Sequence, residues 1–119
     1  MVNFLYDKRN DFGTIETAGD FSNIINMGEA SAERMTVDLK LPEGRPFISA
    51  DGVILTVKGC DTEDGEYKTI TQSGIVSAAM VNEGYGLPMP KTRFQYLKVE
   101  IEGNFEGKVQ AHINSYLGK

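Results

Sequence analysis

The sequence predicts an all-β fold, an antiparallel β-sandwich that is jelly-roll-like, with about eight short strands. Three observations predict it. Apolar residues recur at every second position, most clearly in Met35, Val37, Leu39 and Leu41 and again in Leu97, Val99 and Ile101. Turn residues punctuate the chain at intervals of roughly 8–12 residues, and 13 glycines supply many of them. No sustained stretch carries the period of an amphipathic helix. The one helix-friendly piece, 27–34, is broken early by Gly28.

The elements follow in order. Residues 1–20 mix Phe4, Tyr6 and Phe12 with charge and keep no period, so they read as an N-terminal arm, either packed on the body or a partner, or a partly ordered terminus. Residues 21–119 form the sandwich domain. Phe21 to Met27 is a short apolar run. Met35 to Leu41 alternates with Thr36, Asp38 and Lys40, giving a strand with one face buried. Pro42-Glu43-Gly44-Arg45-Pro46 is a turn or loop. Asp51-Gly52 opens the strand Val53–Lys58, with Val53, Leu55 and Val57 facing in. The acidic turn Asp61–Glu66 carries Asp64-Gly65, a hairpin signal, and Tyr67–Thr71 returns from it. Ile75 to Val81 reads as a strand or, because of Ala78-Ala79, as a short helical turn. Pro88 and Pro90 lack backbone N–H groups, so Leu87-Pro88-Met89-Pro90 reads as a rigid extended segment outside any ladder. It leads into the strand around Leu97, Val99 and Ile101. Gly103 to Gly107 then turns the chain into a last strand, Val109, Ala111 and Ile113 facing one way, which together read as a C-terminal hairpin.

Bulk properties narrow the function. At 119 residues the chain is one domain able to bury a real core. A net charge of -5 argues against non-specific nucleic-acid binding, which needs a basic footprint. It suits a soluble protein, or one that meets a basic surface. With one cysteine, Cys60, no intrachain disulfide exists. Cys60 reads as a small buried hydrophobe near a strand end. No apolar run is long enough to span a membrane, and Met1–Asp7 lacks the basic and apolar regions of a signal peptide. The expected location is a cytoplasm or a particle assembled in one.

Chemical motifs are few. His112 is the single histidine and lies on the strand face opposite Val109, Ala111 and Ile113, where it reads as a surface residue rather than a catalytic one. One His and one Cys do not make a zinc site. The spacing of Asp61, Glu63, Asp64 and Glu66 differs from a calcium-binding EF-hand loop and suits a solvated turn. Glu100 and Glu102 share one strand face, which reads as polar surface rather than as a glycosidase pair. Gly84-Tyr85-Gly86 lacks the Gly-Lys-Ser/Thr of a phosphate loop. Tyr85 and Met89 read as an exposed contact loop or as a lid over the end of the sandwich. No catalytic residue, cofactor or metal is expected.

Val53–Lys58, Gly65–Thr69, Gly84–Pro90, Arg93, Tyr96–Val99 and Gly107–Ala111 together carry a resemblance. In this order and spacing the chain resembles the Bbp16-type capsid cement proteins of tailed bacteriophages, over roughly residues 34–117. Their pattern runs from a Leu-Pro-Leu-Pro segment through a basic-aromatic-Leu-basic-Leu strand to a Gly-Thr-Val-x-Ala hairpin. Here Met89 replaces the second Leu, Arg93 to Tyr96 is longer, and Lys108 replaces the Thr. The resemblance implies a jelly-roll-like sandwich that decorates the outside of a phage head and stabilises it. It implies the major capsid protein as partner, a homotrimer, and a place on the virion surface after assembly in the bacterial cytoplasm. Phe4, Leu5 and Tyr6 of the arm and Tyr85, Leu87, Pro88, Met89 and Pro90 are the interface candidates. Other readings of such a sandwich are a carbohydrate-binding module, a cupin-type enzyme, or a head-completion or tail protein. The absence of tryptophan disfavours the sugar site and the single His112 disfavours the cupin.

Overall fold

The computed structural model describes residues 11–26, 34–90 and 94–116. These residues form nine strands and one short helix: β1 Asp11–Ile15, β2 Gly19–Asp20, β3 Ile25–Asn26, β4 Arg34–Lys40, β5 Ile54–Cys60, β6 Lys68–Gln72, α1 Ala78–Glu83, β7 Tyr85–Met89, β8 Tyr96–Glu102 and β9 Val109–Tyr116. Two antiparallel sheets pack face to face, as expected of a sandwich. Sheet A has the order β1-β9-β4-β7, and sheet B has β2-β8-β5-β6 with β3 also on β8.

The period-two pattern sets the faces. From sheet A, Phe12, Met35, Val37, Leu39, Leu87, Met89, Val109, Ala111 and Ile113 are buried between the layers. Sheet B contributes Ile25, Leu55, Val57, Leu97, Val99 and Ile101. Burying each such side chain contributes about 1.5–3 kcal/mol, so one inward row per strand suffices to hold the layers.

Several expectations change in the folded chain. Residues 11–20, read from sequence as part of the arm, belong to the sandwich. β1 pairs with β9 and β2 with β8, and Phe12 is fully buried. The period is hidden there by a bulge at Gly13 (φ 106°), where the register of β1 shifts. Phe4, Leu5 and Tyr6 lie outside the described residues. The segment at 75–81 resolves as a helical turn: Ser77 caps α1 by accepting a hydrogen bond from the Met80 N–H, and Val81 anchors it.

The proline segment is a strand, not a loop outside the ladder. β7 pairs with β4 from Met35↔Met89 to Leu39↔Tyr85, with Pro88 opposite Thr36. An edge strand needs donors on one side only, so a proline whose nitrogen faces outward loses no ladder bond. It also blunts the edge against pairing with other chains. β8 and β9 do not form a hairpin either. β8 pairs with β5 in sheet B, and β9 pairs with β4 and β1 in sheet A. The Gly103–Gly107 turn therefore carries the chain from one layer to the other. Among consecutive strands of the described residues only β5 and β6 make a hairpin, across the Asp64-Gly65 turn the sequence marked.

Candidate functional site

Three surfaces hold the residues with chemical potential. The first is the outer face of sheet A. Asp11, His112 and Asp38 occupy one rung across β1, β9 and β4. The sequence placed His112 on the polar surface, but it is only 5 % exposed. β9 is flanked on both sides, and short polar side chains close over the ring. Gln110 Nε2 donates to Asp11 Oδ2 at 2.9 Å, and the Asn114 side-chain amide donates to the Asp38 carboxylate. The Gly13 N–H also donates to Asp11 Oδ1 at 2.7 Å, which ties that carboxylate to the bulge. Burial pushes the His112 pKa below its ordinary 6.5, with Lys40 adding to the fall. Asp38, Asp11 and a hydrogen bond to Asn114 oppose it. The rung holds an imidazole whose charged form burial disfavours, between carboxylates that are themselves occupied by amides.

The second surface is the outer face of sheet B. Lys58 and Lys98 stand directly opposite each other on β5 and β8, a pairing that repels by itself. Glu100 and Asp20 relieve it: Lys58 Nζ lies 2.7 Å from Glu100 Oε1, and Lys98 Nζ lies 3.4 Å from Asp20 Oδ2. The Glu100 hydrogen bond holds the Lys58 pKa above its ordinary 10.5. Lys98 also sits over the Tyr67 ring, 4.6 Å from its centroid. Glu100 is thus half of an ion pair in a ladder. Cys60 ends β5 and is buried beneath its own turn, its Sγ 3.8 Å from Thr62 Oγ1. In that turn the Tyr67 hydroxyl donates to the Glu63 carbonyl at 2.7 Å. No group of three or more His, Cys, Asp or Glu among the described residues is placed to hold a metal.

The third surface is one end of the sandwich. The segments 41–53, 73–84 and 103–108 all leave or enter the sheets there, as the registers of β4, β5, β7, β8 and β9 require. They are bound to one another. The Phe47 N–H donates to Asn82 Oδ1 at 2.8 Å, and Asn82 Nδ2 donates back to the Phe47 carbonyl at 3.0 Å. Ile48 exchanges backbone hydrogen bonds with Glu106, and Val53 with Val76. Ser49 Oγ donates to the Asn104 carbonyl at 2.7 Å. Gly103 (φ 121°) comes so close to Gly52 that a Cβ there would lie 2.7 Å from the Gly52 carbonyl oxygen. Phe47 and Phe105 stack beneath, centroids 5.0 Å apart. Above this frame Ile48, Ile75 and Met80 stand 57 %, 70 % and 41 % exposed.

The interface candidates read from sequence divide. Leu87 and Met89 point into the core, and Tyr85 is half-buried against it. Pro88 and Pro90 are exposed. The segment is an edge strand rather than a loop, with Pro88 exposed on it and Pro90 exposed just past its end. The exposed end at Ile48, Ile75 and Met80 escaped sequence reading. Each is a single apolar residue in a loop or short helix, and periodicity carries no sign of which loops meet.

No helix among the described residues is long and apolar enough to cross a membrane. No protein-family model matches the chain, and no curated protein matches it.

Proposed function

We propose that the chain is a structural virion protein, a capsid cement that binds the outside of a bacteriophage head and stabilises the shell. The observation that carries this reading is the strand order. With β2 and β3 counted as one interrupted strand, sheets ordered β1-β9-β4-β7 and β2/β3-β8-β5-β6 match two interleaved Greek keys, the jelly-roll arrangement. Jelly rolls serve in viral capsids, lectins and cupins, so the order supports the fold that the phage resemblance implies and leaves function to the surface. On that surface Lys58, Lys98, Asp20 and Glu100 of one sheet face engage one another and Asp11 and Asp38 of the other engage amides, while one end presents apolar side chains over a tied frame. A cement protein needs such a stiff body with a limited adhesive surface.

In this reading the partner is the major capsid protein, the assembly is a homotrimer, and the protein is non-catalytic and takes no cofactor. The test is to purify particles from the phage or prophage that encodes the chain and measure its copies against the major shell protein. Copies in a fixed, near-stoichiometric ratio, with heat resistance lost when the protein is stripped by salt, are the expected result. A handful of copies would move it to the neck or tail, and absence from particles would overturn the reading. Light scattering of the purified protein is expected to show a trimer or a monomer–trimer equilibrium, and a stable dimer would count against it.

A further inference from the structure

Of the four large hydrophobic side chains exposed among the described residues, Ile48, Ile75 and Met80 share the end formed by 41–53, 73–84 and 103–108. Their loops are fixed to each other by the Phe47–Asn82, Ser49–Asn104 and Ile48–Glu106 bonds, so the surface is organised before any partner arrives. Around it the charges are mainly acidic, with Arg45 the one exposed cation of these three segments. Asp51, Glu83 and Glu106 are exposed, and none forms an ion pair among the described residues. The Glu43 carboxylate is occupied, 2.9 Å from Lys108 Nζ.

An apolar centre inside a polar rim is the anatomy of a protein interface. The sign of the rim selects the partner. Two copies meeting end to end would set one net acidic rim against another, with a single Arg45 on each to offset three carboxylates, which costs affinity. Nucleic acid and anionic lipid are repelled for the same reason. We infer that this end docks a protein other than this chain, on a surface with an apolar centre ringed by lysine and arginine. The identity of that protein as the shell subunit rests on the cement reading; the surface chemistry does not.

The experiment has two arms. In the first, particles carrying the protein are treated with a carbodiimide, which joins a carboxylate to a lysine with no spacer. Cross-links from Asp51, Glu83 or Glu106 to lysines of the shell protein are expected. The Ile48→Ser/Ile75→Ser variant, altered only at exposed positions, is expected to bind shells at least tenfold more weakly. Asp51→Asn/Glu83→Gln/Glu106→Gln is expected to weaken binding and to flatten its salt dependence. Cross-links to the shell from the Asp61–Glu66 turn instead, or variants that bind like the parent, would overturn the inference and leave the cement reading standing. Cross-links from these carboxylates to a second copy would also overturn it. In the second arm, a Leu-Lys peptide and a Leu-Glu peptide are titrated into labelled protein and followed by amide chemical shifts. The basic peptide alone is expected to move signals in 47–52, 75–83 and 103–106. Shifts elsewhere, or equal shifts with both peptides, would overturn the docking surface. If the protein is absent from particles while this peptide result holds, the cement reading fails and the surface stands.

Discussion

On the outer face of sheet A, His112 lies in one rung with Asp11 and Asp38, closed over by Gln110 and Asn114. On the outer face of sheet B, Lys58, Lys98, Asp20 and Glu100 form a ladder of ion pairs with side chains roughly a quarter to a half exposed. Both faces are read in sequence as the polar side of an alternating strand. They differ because of side-chain length. Short carboxylates and amides on three adjacent strands reach one another and shut water out, so a histidine among them is desolvated. Lysines lay their stems along the sheet and keep their ammonium groups wet. Polarity of a strand face therefore does not decide its burial; the reach of its neighbours does.

The contrast can be broken at four points. The largest effect lies under both faces. Val99 is fully buried on β8, between the outward Lys98 and Glu100. Val99→Asp puts an unpaired charge there and is expected to cost at least about 4 kcal/mol, abolishing cooperative unfolding in urea. A stable variant would show that the inward phase of β8 is wrong.

Asp38→Ala tests the closed face. It strands the Asn114 amide, and a loss of about 1–3 kcal/mol in chemical denaturation is expected. A change near zero would mean that the amide turns to water and that the rung is not closed.

The third point is pH. The folded pKa of His112 lies below its ordinary 6.5, so the unfolded chain binds more protons than the native one just below that value. Its contribution to stability is complete above pH 6.5 and is lost as pH falls through the folded pKa. The urea midpoint is expected to drop over that window, with His112→Gln removing the drop. An identical pH profile in the variant would show that the ring is not desolvated.

The smallest effect belongs to the open face. Lys58→Met removes the ion pair with Glu100 and is expected to cost under about 1 kcal/mol, because the pair is part-exposed and solvent screens it. The difference should shrink further in about 1 M salt. A larger, salt-insensitive loss would make the two faces alike.

Much of the body is legible in the residues. The alternation in Met35–Leu39, Val53–Val57, Leu97–Ile101 and Val109–Ile113 assigns the inward side chains, and all of these are buried. Asp64-Gly65 marks the one hairpin between consecutive strands among the described residues. Elsewhere local signals mislead. Gly103–Gly107 reverses the chain, but crossing from one layer to the other reverses it just as well as a hairpin does. Pro88 forbids a central strand and permits an edge one, and only sheet order tells which applies. Phe12 sits beside a bulge that erases its period. The apolar end built from Ile48, Ile75 and Met80 draws on segments far apart in sequence, and no local pattern links them.

The residues alone establish that the chain is all-β, which side chains of each long strand turn inward, and where the chain must turn. These follow from side-chain alternation and from the backbone freedom of Gly and Pro, both properties of adjacent residues. The folded arrangement adds which strands pair, which layer each joins, that Pro88 lies at an edge, that His112 is buried, and that three distant segments present one apolar end. Those depend on contacts between residues remote in the chain, whose partners are chosen by the packing of the whole sandwich.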